Sequence, residues 1–293
     1  MISLKRRPGA MLAAGVLALA VSGTASALPF FPSAGTTPGT KYEDTDVEWL
    51  DNRVGKSNII DVGDVLISVA EFNTAVDVLA PVEPAVALDT AADEVVAVSR
   101  VKVKSINPLT GRIDFEPVDA STPMVEIYSK GSSIDLDLET YSTCSDLASC
   151  IAAVTDGNLL AQFTIADPDD EWFFFPNPAI LGSIDPRNID QVRDASQATV
   201  IGTFQFALTQ VGGPFDFKPL SLDCDVYACA GDGLTDLMGN GTIYGGGGAG
   251  ALPAGAFAVS DTDVFVIPEP AMLALMGAGL LGAGMARRRR RVC

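Results

Sequence analysis

A chain of 293 residues is long enough for one large or two small domains with a real core. It carries 37 acidic residues against 19 basic ones and no histidine at all. That balance disfavours nucleic acid and anionic lipid as partners, and the missing imidazole excludes Ser-His-Asp and Cys-His catalysis.

The first 27 residues carry Lys5, Arg6 and Arg7, then an apolar run from Ala10 to Val21, then Ala25-Ser26-Ala27. That order is a secretory signal peptide (1–27), cleaved after Ala27 and too short for a retained anchor. Residues 28–45, rich in Pro, Gly and Thr, read as a flexible N-terminal arm. The signal holds three basic residues and the C-terminal run five, which leaves 11 bases against 36 acids in the exported part, a net charge near −25. Solubility is the plain reading of such a surface; polyols and cations are the ligands it suits.

Residues 46–267 read as a β-rich exported domain. Val65, Ile67 and Val69 share one strand face, and Val101 and Val103 alternate with Lys102 and Lys104. The turn "NPLTGR" (107–112) then leads to Ile113 and Phe115, which makes a hairpin. Ile134, Leu136 and Leu138 alternate with Asp135, Asp137 and Glu139. Val200, Gly202, Phe204, Phe206 and Leu208 fall on one side of a further strand, and short strands at "GTIYG", "AFAVS" and "DVFVI" follow. The expected fold class is all-β, an antiparallel β-sandwich with one or two short helices. One helix lies in "SDLASCIAAVTDG", capped by Ser145 and stopped by Gly157, and a second in "IDQVRDASQ". Residues 80–94 are an inserted loop or a linker; a single domain is the simpler expectation.

Two stretches could carry chemistry. Asp167, Asp169, Asp170 and Glu171 offer hard oxygen ligands for Ca²⁺, and Trp172 to Phe175 could stack on a sugar ring. The plainer alternative is an acidic loop entering a buried aromatic strand. Asp223, Asp225, Asp232 and Asp236 lie among glycines but lack the spacing of an EF-hand, so a disulfide-pinned loop is the simpler account there. Gly55-Lys56-Ser57 lacks the leading glycine of a phosphate-binding loop, since Leu50 stands there. Asn240-Gly241-Thr242 has the form of a glycosylation sequon and reads as a turn. Paired carboxylates could serve a glycosidase, but pairs are common in so acidic a chain. No catalytic residue is assigned; the expectation is a protein that is not an enzyme and has no cofactor, with Ca²⁺ the one ion its loops could take.

Cys144 and Cys150 are close in sequence, as are Cys224 and Cys229, while Cys293 stands apart. In an exported protein these four fit two local disulfides, one of three connectivities they allow. Zinc fits less well without histidine or Cys-x-x-Cys spacing.

The C-terminal stretch has three parts: Pro268-Glu269-Pro270, an uncharged apolar run from Ala271 to Ala286, and Arg287, Arg288, Arg289, Arg290 and Arg291. As a helix the run would rise about 24 Å, marginal for a hydrocarbon core of about 30 Å. The arginines would stop it on the cytoplasmic side and leave the acidic body outside. In order and composition, residues 268–293 resemble the PEP-CTERM sorting signal of Gram-negative bacteria, departing only in the Val-Cys after the arginines. The resemblance implies an exosortase-type membrane enzyme as partner, Pro268, Glu269 and Pro270 as the recognition motif, a transient transmembrane sorting helix and an arginine retention cluster. It also implies delivery to the cell surface or an exopolysaccharide matrix. The expected function is an exported, non-enzymatic structural or interaction protein. The alternative is a Ca²⁺-dependent carbohydrate-binding or adhesion module.

Overall fold

The computed structural model describes residues 40–51, 57–77, 86–87, 94–129, 138, 141–214, 217–224, 227 and 229–268. The leader, residues 28–39 of the arm, most of the expected strand around Ile134 and the apolar and arginine parts of the tail lie outside them. The strands are β1 (Thr40–Asp51), β2 (Val65–Asp77), β3 (Val86–Ala87), β4 (Val95–Ile106), β5 (Ile113–Pro117), β6 (Val125–Ser129), β7 (Asn158–Thr164) and β8 (Glu171–Pro176). They continue as β9 (Val200–Gly212), β10 (Phe217–Lys218), β11 (Leu220–Ser221), β12 (Leu234–Thr235), β13 (Leu237–Gly245) and β14 (Ala256–Pro268). Two helices interrupt them, α1 (Leu147–Thr155) and α2 (Ile189–Asp194). β1 starts inside the stretch read as an arm, so residues 40–45 are strand. "AFAVS" and "DVFVI" are one strand of 13 residues, not two.

The antiparallel, strand-dominated reading holds, but the sandwich does not. β1 pairs with β2 on one side and with β14 on the other. β14 pairs with β13, β13 with β9, β9 with β7, β7 with β6, β6 with β4, and β4 with β2. The pairings return to their start, so the sheet is a closed barrel. Its wall has two composite strands. β5 and β6 follow one another along the same edge of β4. β8 and β7 do the same along β9. Counting each composite once, eight strands make the ring, a size that encloses packed side chains or one small ligand. Closure removes the open edges that a sandwich would have to protect.

Alternation sorts the side chains into two clusters. Leu66, Val101, Ile127, Phe163, Phe206 and Leu208 belong to the interior. Val47, Trp49, Val65, Ile67, Val69, Val96 and Val98 point outward and are covered by Ala153 and Val154 of α1. Fully burying each such aliphatic side chain stabilises the fold by about 1.5–3 kcal/mol, which is why the short helix stays on the wall. The N-cap of α1 is Asp146, not Ser145: its carboxylate accepts from Ser149 N while Ser149 Oγ accepts from Asp146 N. Cys144–Cys150 fastens this start of the helix, and Cys224–Cys229 closes a surface loop, so both expected pairings are present. The hairpin at 107–112 forms as expected. Asn107 Oδ1 accepts from Leu109 N and Thr110 N, and Gly111 takes φ 72°, where an added Cβ would come within 2.8 Å of Pro176.

No helix among the described residues is long and apolar enough to cross a membrane. The segment read as a sorting helix lies outside them.

Candidate functional site

The two acidic stretches, more than fifty residues apart in sequence, meet on the outer wall where β7 gives way to β8. Asp170 Oδ2 accepts from Ala166 N and Asp167 N, which folds the loop back on itself. Asp169 then reaches across. Its Oδ1 accepts from Gly231 N at 2.5 Å and its Oδ2 from Gly233 N at 2.7 Å. Those amides belong to the segment that follows Cys229 and packs against the Cys224–Cys229 disulfide, and Gly231 lies so close that a Cβ there would be 2.6 Å from Asp169 Oδ2. The Gly231 amide, first among several, holds the Asp169 carboxyl below the usual carboxylate range. Carboxylate oxygens of Asp167, Asp169 and Asp232 lie within 4.8 Å of one another.

The set that converges therefore differs from the expected one. Asp167 and Asp169 stay, and Asp232 joins from the second stretch. Asp170 is spent on the turn, and burial pushes its carboxyl up. Glu171 faces Arg112 at 3.4 Å, and Arg112 also lies over the Phe173 ring at 4.1 Å. Asp236 Oδ2 accepts from Gln210 N, away from the cluster. Asp225 lies outside the described residues. Three carboxylates are a partial set for an ion that takes about 6–8 oxygens.

The aromatic run forms no sugar platform. Phe173 and Phe174 are buried, Trp172 is half-buried, and only Phe175 is exposed, at 41 %. Trp172 turns inward, with its ring 4.7 Å from Phe206 and 6.4 Å from Phe115. β13 makes room for this inner wall. Gly239 is paired with Phe206 and Gly241 with Phe204, and a Cβ at either would collide with the facing ring. The sequon-like Asn240-Gly241-Thr242 is thus mid-strand rather than a turn.

Sequence reasoning missed the most unusual residues of the interior. On β1, Asp44, Asp46 and Glu48 point into the barrel, while Val47 and Trp49 face out beneath α1. Together with the aromatic wall they line a cavity of about 80 Å³. All three acids are buried. Thr262 N donates to Asp44 Oδ1, Ser260 Oγ to Asp46 Oδ2 and Glu48 Oε1, and Thr262 Oγ1 to Asp46 Oδ2. Burial raises the Asp46 carboxyl to about 7 and that of Glu48 to about 8. Asp44 is raised well above the ordinary range by burial and by its neighbour Asp46. The signal in the sequence was an inverted alternation, acids at 44, 46 and 48 against Val47 and Trp49. It reads as an ordinary half-exposed strand until a helix is known to cover the apolar side.

The termini of the barrel lie together. Thr40 pairs with Val266 and Lys41 with Phe265, so chain entering β1 and chain leaving β14 emerge at one end. β14 continues to Pro268, which pairs with Phe217. Residues 266–291 match the PEP-CTERM protein-sorting motif, and the match begins within the last three residues of that closing strand. No curated protein and no solved structure matches the chain significantly. The tail thus carries the signature of an exported, exosortase-sorted protein.

Proposed function

We propose that the barrel is the cargo of its sorting tail: a non-enzymatic surface or matrix protein, exported by the leader (1–27) and anchored transiently through Ala271–Ala286. An exosortase-type enzyme then releases it to the cell surface or the exopolysaccharide matrix of a Gram-negative envelope. The match over 266–291 carries this reading. The shared end of β1 and β14 supports it, because leader and tail would both reach the membrane from one face of the barrel. Since Pro268 is still in the ladder, processing that spares the barrel cuts after it. Mass spectrometry of the released protein checks this: a C-terminus beyond Pro268 is expected, and full-length protein free in the cytoplasm would sink the proposal. Glu269→Ala, or removal of Arg287–Arg291, should leave the protein unprocessed.

A second reading is favoured by one observation, the convergence of Asp167, Asp169 and Asp232. There the barrel is a Ca²⁺-dependent adhesion module whose exopolysaccharide ligand binds beside the disulfide-pinned loop. Calorimetry decides. Ca²⁺ heats lost in Asp232→Asn support it, and a heat-silent Ca²⁺ titration removes it.

A further inference from the structure

The barrel interior has two unlike walls. One is β1, with Asp44, Asp46 and Glu48 in line; the other is aromatic, with Phe115, Trp172, Phe204 and Phe206. Among the described residues, no lysine or arginine lines the cavity between them. The hydroxyls of Ser260 and Thr262 both serve Oδ2 of Asp46, yet no hydroxyl or amide donates to Asp46 Oδ1, on a residue only 4 % exposed; the one other side chain hydrogen-bonded to Asp46 is the carboxyl of Asp44. A buried carboxylate oxygen left without a donor is costly, because it has lost water and gained nothing in return. The missing partner is a donor, and the rings opposite favour one that is positively charged, since an aromatic face attracts cations.

The ladder is interrupted beside the aromatic wall. The pairing of the composite strands stops at Asp114 with Phe173 and resumes at Val125 with Phe163. Trp172 stands in that interruption with its ring against the cavity wall.

We infer that the barrel interior binds a small organic cation, a primary ammonium on a short apolar body, with the ammonium donating to Asp46 Oδ1 and the body lying against Trp172 and Phe206. The cavity, about 80 Å³ in volume, suits a body of a few carbons rather than a lipid or an oligosaccharide. Glu48 stands two residues further along the same face, and Asp44 two residues before. From the neighbouring strands the groups that meet these acids are Ser68 on β2 and Ser260 and Thr262 on β14, none of them charged. Asp261, also on β14, adds negative charge. Binding a cation therefore stabilises the ionised acids and releases protons that they hold when the cavity contains only solvent. This proposal is independent of the sorting tail and of the outer carboxylate cluster.

Butylamine and its neutral counterpart 1-butanol are the probes for calorimetry on the full barrel. Butylamine should bind saturably, more tightly at pH 8.5 than at pH 6, with a heat that depends on the ionisation enthalpy of the buffer because protons leave. Asp46→Asn should weaken it by about tenfold or more, the loss of one hydrogen bond to a charged group, while Asp232→Asn on the outer wall leaves it unchanged. Asp46→Asn removes a buried ionisable group without changing its shape, so unfolding at pH 8 should show the variant at least as stable as wild type. Butanol binding as tightly as butylamine, or an Asp46→Asn variant that is folded and binds butylamine normally, would overturn the proposal. So would heats of butylamine that do not saturate.

Discussion

β1 and β9 both cross the whole barrel, and each presents every second residue to the interior. β9 contributes Phe204, Phe206 and Leu208, the residues that alternation assigns to a core. β1 contributes Asp44, Asp46 and Glu48, residues that alternation assigns to solvent. The same fold position therefore holds apolar side chains at little cost on one strand and ionisable ones at high cost on the other. A further acid, outside both strands, makes the comparison sharper. Asp169 has lost water too, at 0 % exposure, but backbone amides keep its carboxyl acidic. Amide donors, not burial alone, decide whether a sequestered carboxylate holds its charge.

The largest effect is expected on the apolar wall. Phe206→Ala would leave a void against Trp172 and the β13 glycines, and should cost about 3–5 kcal/mol in urea unfolding. The acidic wall should behave in the opposite sense at neutral and higher pH. The folded carboxyls of Asp46 and Glu48 titrate near 7 and 8, above the ordinary values of 3.8 and 4.5. Between those limits the folded state holds more protons than the unfolded chain, so stability falls as pH rises. The loss begins near pH 4 and is complete above about pH 8. Its size follows from how far the two groups have moved, at about 1.4 kcal/mol for each pH unit by which a group titrates higher folded than unfolded. Glu48→Gln should flatten part of this slope, matching wild type near pH 4 and exceeding it at pH 8. A wild-type profile that rises from pH 5 to pH 8 would mean that the acids are solvated rather than enclosed.

Reducing Cys224–Cys229, or replacing both by Ala, tests the third member of the comparison. Freeing so short a loop removes on the order of 2 kcal/mol. It should also loosen the Gly231 and Gly233 amides, so that the Asp169 carboxyl climbs back toward the ordinary range in an NMR titration. An unchanged Asp169 would show that the loop holds its shape without the bond.

What was readable from the chain divides along local and non-local lines. The faces of β2, β4 and β9, the hairpin at 107–112, both disulfides and the tail depend on neighbours within a few residues, and pattern alone finds them. Closure depends on β1 meeting β14, over 200 residues apart in Ser260 Oγ to Asp46 Oδ2 alone, and repeated alternation is equally compatible with a sandwich. The inner acids were hidden for a related reason. Val47 and Trp49 mark one face of β1 as buried, but nothing local says that α1 covers it from outside and that the other face is buried too. Likewise Asp232 enters the outer cluster only because the barrel wall brings two loops together.

The smallest effect tests the register on which the inside-outside comparison rests. Phe175 is 41 % exposed, and its ring meets Phe173 at 5.3 Å and the Arg112 guanidinium at 5.3 Å on the outer wall. Phe175→Ala removes surface contacts that water replaces and leaves no sealed void, so the change should stay within about 0.5 kcal/mol. Its neighbour Phe174 is buried and lines the cavity, so Phe174→Ala should fall with Phe206→Ala. A strand that slips by one residue exchanges its two faces completely. If Phe175→Ala proved the costlier of the two, β8 would be out of register. Trp172 and Phe174 would then turn outward, and the aromatic wall opposite the β1 acids would lose two of its members.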